Sequence, residues 1–282
     1  MIQKPSGREE ARRSVILAAL ALVAFAAGAE ALGAQTQPPL AGAASAGPRE
    51  GTYLYRFAVL QAAPGRLVEL IDLLKARAPL IVAGGDEAPY IVRHSQGDHW
   101  DLVVILPMKS FADYYRPERI AERDAAAAAA GLPTEAFARR LNALLAWDED
   151  LYVLGPPVEV FRGHVEEAGL LHFEMMQELP GKRDELVEER RMENAFARER
   201  GRYETLIFVR ETGAAWDVVT LAVYRNWRQY AESELITREA ADAAARKAGF
   251  ENAASVGPYM RTLISTHRDT LGPPVRWEQR EP

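Results

Sequence analysis

From Thr52 onward the polar and apolar positions of the chain change period in a definite order. Tyr53 to Gln61 (YLYRFAVLQ) alternates apolar and polar side chains and is rich in strand formers, so it predicts a β-strand. Pro64-Gly65 makes a turn, after which Leu67, Leu70, Ile71 and Leu74 fall at helical spacing. Past Gly84-Gly85, two short strands are expected at Tyr90 to Ser95 and Trp100 to Leu106, with Gln96-Gly97-Asp98 as the hairpin between them. Ser110 is a fitting N-cap for a second helix, which runs into the alanine block Ala125 to Ala130 and stops at Gly131-Leu132-Pro133. A further helix is expected from Thr134 toward Trp147, and Gly155-Pro156-Pro157 then leads into a last strand, Val158 to Arg162.

The same order recurs. A shift of 116 residues carries Trp100 onto Trp216, Asp101 onto Asp217, Phe111 onto Trp227, Tyr114 onto Tyr230 and Pro64-Gly65 onto Pro180-Gly181. Near the C-terminus LGPPV (Leu271 to Val275) repeats Leu154 to Val158 at a shift of 117. Several landmarks at one offset point to a module written twice, and a repeat of that length is too long for a solenoid unit. The second-copy elements are expected at Leu170 to Gln177, Lys182 to Arg200, Thr205 to Glu211, Trp216 to Tyr224, Trp227 to Lys247, Asn252 to His267 and Val275 to Trp277. Strand, helix, strand, strand, helix, strand is the ferredoxin-like order. The expected fold is therefore α+β, with repeats at 52–163 and 164–282 whose sheets pack face to face as an intramolecular pseudo-dimeric α+β barrel. On this order and the Trp-Asp and Phe/Trp-x-x-Tyr landmarks, the chain resembles the dimeric alpha+beta barrel superfamily, with its NIPSNAP-like, EthD-like and antibiotic-biosynthesis-monooxygenase-like modules. The resemblance implies a ligand in the space between the two sheets, and oxygenase- or isomerase-like activity.

Alternation along the first strand of each copy separates two faces. Tyr55, Phe57 and Val59, with Leu171, Phe173 and Met175, form an apolar face suited to cover by helices. The opposite face carries Arg56, Ala58 and Leu60 in one copy and His172, Glu174 and Met176 in the other, and is expected to face the space between the sheets. There His172 is a candidate general acid or base, Glu174 its orienting or proton-exchanging partner, and Arg56 a holder of an anionic oxygen. The bland alternative is a structural ion-pair network. Trp100, Trp216, Tyr90, Thr220 and Tyr224 are candidate walls for a flat ligand, though the simpler reading of the two tryptophans is that they close the core at a sheet edge. Asp101 and Asp217, present in both copies, are expected to tie down a turn. Glu185, Glu188, Glu189 and Glu193 lie among Arg190 and Arg191 and are expected on a solvated helix face. Asp148-Glu149-Asp150 is expected at a helix end. Leu74 matching Arg190 leaves an asymmetry between the copies that the pattern does not explain.

Composition changes the picture at the start of the chain. Arg12-Arg13 precede an unbroken apolar run from Val15 to Ala29, the layout of a secretory signal peptide over 1–34, followed by a Pro/Gly/Ala/Ser-rich flexible leader over 35–51. A periplasmic or secreted location is expected, with no stable membrane anchor after cleavage. Residues 1–34 hold four basic and three acidic residues, so their loss would take the formal charge of the 282-residue chain from -6 to -7. An acidic protein is poorly suited to nucleic acid. No cysteine is present, which excludes disulfides and thiolate chemistry. Neither H-E-x-x-H, G-x-S-x-G nor a glycine-rich phosphate loop occurs. No cofactor or metal is expected; haem is the alternative, with His172 as the axial candidate. The expected function is binding of a small organic molecule, as monomer or homo-oligomer, with a packed, non-catalytic interaction module as the rival reading.

Overall fold

A computed structural model describes residues 51–202, 204–232 and 236–276. The expected signal peptide and all but the last residue of the leader lie outside them, as does Trp277. Among the described residues no helix is long and apolar enough to cross a membrane.

The first half runs β1 (Tyr53–Ala62), α1 (Leu67–Ala83), β2 (Tyr90–Arg93), β3 (Gln96–Gly97), β4 (Leu102–Lys109), α2 (Phe111–Tyr114), α3 (Pro117–Ala129), α4 (Thr134–Leu144) and β5 (Leu145–Gly155). After α5 (Val158–Val165), the second half runs β6 (Leu170–Glu178), α6 (Arg183–Glu199), β7 (Leu206–Gly213), β8 (Val218–Tyr224), α7 (Trp227–Ala231), α8 (Arg238–Lys247), a 3₁₀ turn (Ala253–Ser255), α9 (Val256–Arg261) and β9 (Ile264–Gly272). The local chemistry is the same in both halves. Gly65 and Gly181 both turn the chain at φ 77°, a conformation that glycine adopts without a Cβ clash. Ser110 and Asn226 both cap a helix, accepting from the backbone N–H of Asp113 and Gln229.

Among the described residues nine strands form one antiparallel sheet in the order β2-β4-β1-β5-β7-β8-β6-β9-β3. β1 lies between β4 and β5, as β6 lies between β8 and β9, and β5 pairs with β7 to join the halves. The ends of the run meet: Gln96 and Gly97 pair with Leu271 and Thr270, Arg93 N donates to Pro273 O, and Val275 N donates to Ile91 O. Inside, Tyr55, Phe57 and Val59 face Leu171, Phe173 and Met175 together with Trp100, Leu151, Phe208, Trp216 and Leu221. Phe57 and its counterpart Phe173 touch with ring centroids 5.7 Å apart, and Phe57 meets Phe208 at 5.0 Å. Phe161 and Val165 of α5 pack into the same cluster.

Two expectations are corrected here. The last strand of each half comes earlier in the chain: Leu145–Gly155 is β5 and Val158–Val165 a helix, while Ile264–Gly272 is β9. The acids of AWDEDLYVL suggest a helix end, yet Trp147, Leu151 and Val153 point inward while Asp148 and Asp150 alternate with them, which is strand periodicity. The two faces are also exchanged. The all-apolar faces meet each other in the barrel interior, and the faces bearing Arg56, His172 and Glu174 lie under the helices. The physical reason is cost: a dry aromatic interior gives a charge no partner, whereas the margin of a sheet–helix layer reaches water.

Candidate functional site

Below α1 the sheet–helix layer of the first half is apolar. Leu70, Leu73 and Leu74 pack on Leu60, Ala62 and Leu102, with Ala58 against them. The layer below α6 is built at the same positions from different chemistry. Glu189 and Arg190 occupy the places of Leu73 and Leu74, Glu174 that of Ala58 and His172 that of Arg56. Arg190 is 3% exposed and Glu189 0%, which corrects the expectation of a solvated helix face and locates the mismatch seen in the sequence. Glu185 and Glu188 are exposed as expected.

Strand register assembles the cluster. His172 and Glu174 are two apart on β6, His267 and Asp269 two apart on β9, so each pair shares a face; Glu174 stands opposite Asp269 and His267 opposite Met176. His172 Nε2 lies 3.0 Å from Asp269 Oδ1, and His267 Nε2 lies 3.3 Å from both Glu174 Oε1 and Asp269 Oδ1. Thr220 Oγ1 donates to the other oxygen of Glu174 at 2.6 Å, and Arg190 Nη1 stands 3.7 Å from that oxygen. Arg190 also donates to Glu189 at 2.6 Å and to Glu193 at 2.8 Å. The rings of Tyr230 and His172 meet edge-on at 6.3 Å, and Tyr230 meets Tyr224 at 5.2 Å.

These contacts set the charge states. Burial pushes Glu174 upward, but the hydrogen bond with His267, the charges of Arg190 and His172 and the Thr220 hydroxyl outweigh it and hold the carboxyl well below the usual range. Burial works against the His172 imidazolium, yet the bond to Asp269 and the charges of Glu174 and Asp269 raise it above its ordinary value. Burial raises Glu189 to about 8 despite Arg190, and raises Glu193 as well. The site thus holds one fixed carboxylate, one readily protonated histidine and, on the helix, a pair of carboxyls that keep a proton near neutrality.

Of the expected catalytic trio, His172 and Glu174 come together and Arg56 does not. Its guanidinium makes two bonds to Asp150, at 2.7 and 2.8 Å, on β1, four strands away from β6. The expected ligand wall divides likewise. Trp100 and Trp216 are buried in the barrel interior, Tyr90 packs against it, and Trp216 Nε1 donates to Glu149 at 2.8 Å. Thr220 and Tyr224 belong to the α6 side. Asp101 and Asp217 tie down the chain as expected, accepting from Ala62 N at 2.8 Å and Glu178 N at 3.0 Å. Sequence reasoning misses His267 and Asp269 because it extends a helix over 252–267; their i, i+2 spacing on a strand is the signal that finds them. Arg190 is visible in the sequence only as a mismatch with Leu74.

Beside the cluster, a cavity of about 440 Å³ opens between α6, β8 and α7, lined by Glu193, Phe196, Arg200, Arg202, Tyr224 and Gln229 among others. It shares Glu193 with the ion network, and Tyr224 leads through Tyr230 to His172. No histidine is among its described lining residues, so this cavity offers no imidazole as an axial ligand of haem.

No family model matches the chain, and no curated protein matches it in sequence. Among solved structures it is similar to an anthrone oxidase-like protein, at 11% identity and a TM-score of 0.51, over 80% of this chain and 93% of that one. Looser likenesses are a mutant chlorite dismutase from Candidatus Nitrospira defluvii (9% identity, TM-score 0.47, 81% and 93% covered) and a heme-binding protein from Thermus thermophilus (13%, 0.41, 82% and 96%). The fold is that of the dimeric alpha+beta barrels, carried here within one chain.

Proposed function

We propose that the second half carries a site for a small organic molecule in the groove between α6 and its sheet, and that the first half is its structural counterpart. The carrying observation is that one sheet–helix layer is polar where the other, at matched positions, is leucine. The ligand enters from the cavity beside Tyr224, where Arg200 and Arg202 favour an acidic group such as a carboxylate or phenolate. His172, raised and held by Asp269, accepts or returns a proton; Glu174, fixed as a carboxylate, stabilises the imidazolium. This arrangement suits oxygenase- or isomerase-like chemistry at an activated carbon. The space between the sheets is not the site, because aromatic side chains fill it.

Export through the 1–34 segment belongs to the same reading, with action in the periplasm or outside the cell; the matched caps, turns and register support descent of the halves from one duplicated module. The packed interior favours the rival reading, an interaction module without a ligand. Native mass spectrometry on protein recovered from its own host separates the two. A bound mass released on denaturation, lost in His172→Ala and kept in Arg56→Ala, supports the groove site. A bare chain mass in all three supports the interaction module.

A further inference from the structure

The four side chains where β6 meets β9 have a geometry that proton transfer does not require. We infer that His172, Glu174 and Asp269 form a binding site for one divalent transition-metal ion of the zinc, manganese or ferrous class, with His267 orienting the two carboxylates. One imidazole nitrogen with two carboxylate oxygens, and room for water or ligand, is a donor set such ions accept, softer than the all-oxygen sets of magnesium and calcium. Three donors converge: a ring nitrogen of His172 and an oxygen each of Glu174 and Asp269 all lie within 4.8 Å of one another, while His267, outside that set, stands 3.3 Å from each carboxylate and can orient both. Bonds of about 2.0–2.2 Å to a common ion place neighbouring donors roughly 3.0–3.5 Å apart, from the octahedral to the tetrahedral case. The observed 3.0 Å separation of His172 Nε2 and Asp269 Oδ1 falls in that window.

The surroundings orient the ligands as metal sites require. Thr220 and Arg190 hold Glu174 Oε2, which leaves Oε1 turned to the cluster. His267 is 6% exposed and Glu174 16%, while the Asp269 side chain is 49% exposed, so the cluster is enclosed below and open on one side to water or ligand. The first half shows what happens at the matched register without these residues. There Asp150, opposite Ala58, is neutralised by the bidentate guanidinium of Arg56. In the second half Asp269, opposite Glu174, has no such cation at the matched position; His172 stands there instead. Two carboxylates balance one divalent ion, and Arg190 remains matched to Glu189 and Glu193.

The inference stands on these four residues; an ion on His172 takes the place of the proton assigned to that nitrogen, while ligand binding in the groove does not depend on it, so either can fail alone. The test uses the full chain without a polyhistidine tag, stripped with a chelator and titrated separately with Zn²⁺ and Co²⁺. Expected are one ion per chain by calorimetry, a visible Co²⁺ absorption of low-symmetry nitrogen–oxygen coordination, and a Tm that rises with ion concentration. Asp269→Asn weakens binding by roughly 100-fold or more, His267→Gln and Thr220→Val by about 10-fold through the orientation of the carboxylates, and His164→Gln leaves it unchanged. Absence of a 1:1 isotherm in the parent overturns the inference. So does binding that survives undiminished in folded His267→Gln and Asp269→Asn proteins, or that is lost in His164→Gln. An organic ligand retained by the stripped protein would keep the groove reading while the ion site fell.

Discussion

Removing Arg190 tests whether the polar layer under α6 is held together by charge. In Arg190→Leu the residue of the first half is restored at its matched position, but Glu174, Glu189 and Glu193 lose their shared cation. Taking one partner from a buried ion network costs about 3–5 kcal/mol, because the charges left behind are stranded. For a folded body of this size each kcal/mol shifts Tm by about 2–4 °C, so a fall of roughly 6–20 °C is expected. The deficit depends on pH with a definite sign. Glu189 titrates near 8 in the folded chain against an ordinary 4.5, its burial outweighing Arg190. A carboxyl raised on folding withholds no stability below its unfolded pKa and withholds progressively more as pH rises toward the folded value. Loss of Arg190 raises Glu189 and Glu193 further, so their share of the penalty is small near pH 4.5 and grows through pH 8. The share from Glu174, which Arg190 helps hold low, is already present above its ordinary 4.5 and stays nearly constant to about pH 8.5. In Glu174→Ala/Glu189→Leu/Arg190→Leu, which copies the leucine layer, most of the loss returns, since apolar replacements of buried ion networks are often neutral or stabilising. Urea unfolding of metal-free protein followed by circular dichroism at about pH 5, 7 and 8.5 measures all three. An Arg190→Leu protein within about 0.5 kcal/mol of the parent at the highest pH, or a triple variant as unstable as the single, would refute the reasoning.

In metal-free protein, the His172 imidazole titrates above its ordinary value by NMR, and Asp269→Asn lowers it; the stability this shift contributes is full below the unfolded pKa and lost as pH rises through the folded one. Phe57→Ala, at the meeting point of the two halves, costs about 3–5 kcal/mol in urea unfolding, whereas an interior with a ligand-sized void would show less. Asp217→Ala is more destabilising than Asp101→Ala by differential scanning calorimetry, since Asp217 also pairs with Arg183 and Arg210 while both lose a backbone bond worth about 1 kcal/mol. N-terminal sequencing of protein from the native host finds a start between Ala29 and Gln35, and an intact Met1 would exclude cleavage.

Period and offset make the architecture legible, because strand alternation and cap residues are local and both halves obey them. Ser110, Asn226, Pro64-Gly65 and Pro180-Gly181 can be placed without any tertiary information. The choice between the two faces of β1 and β6 cannot. Both faces are internal to a layered fold, and which one is dry depends on what packs across it, a property of the whole chain. Sequence therefore identifies His172 and Glu174 as chemistry while setting them on the wrong side, and joins Arg56 to them although Asp150 claims it. The AWDEDLYVL run misleads when acidity is weighed above alternation, and the matching error in the second half hides His267 at the end of an assumed helix and leaves Asp269 in the stretch after it.

The seam where Gln96-Gly97 meets Leu271 and Thr270 has a consequence for synthesis. Contacts so far apart in the chain must wait until almost the last described residues have been made, so an edge of the sheet stays bare while the nascent chain lengthens. Such edges are templates for pairing with other chains. A truncation ending before β9 therefore yields an aggregating product and no half-sized barrel, and residues 51–276 fold as a unit, after β9 has emerged.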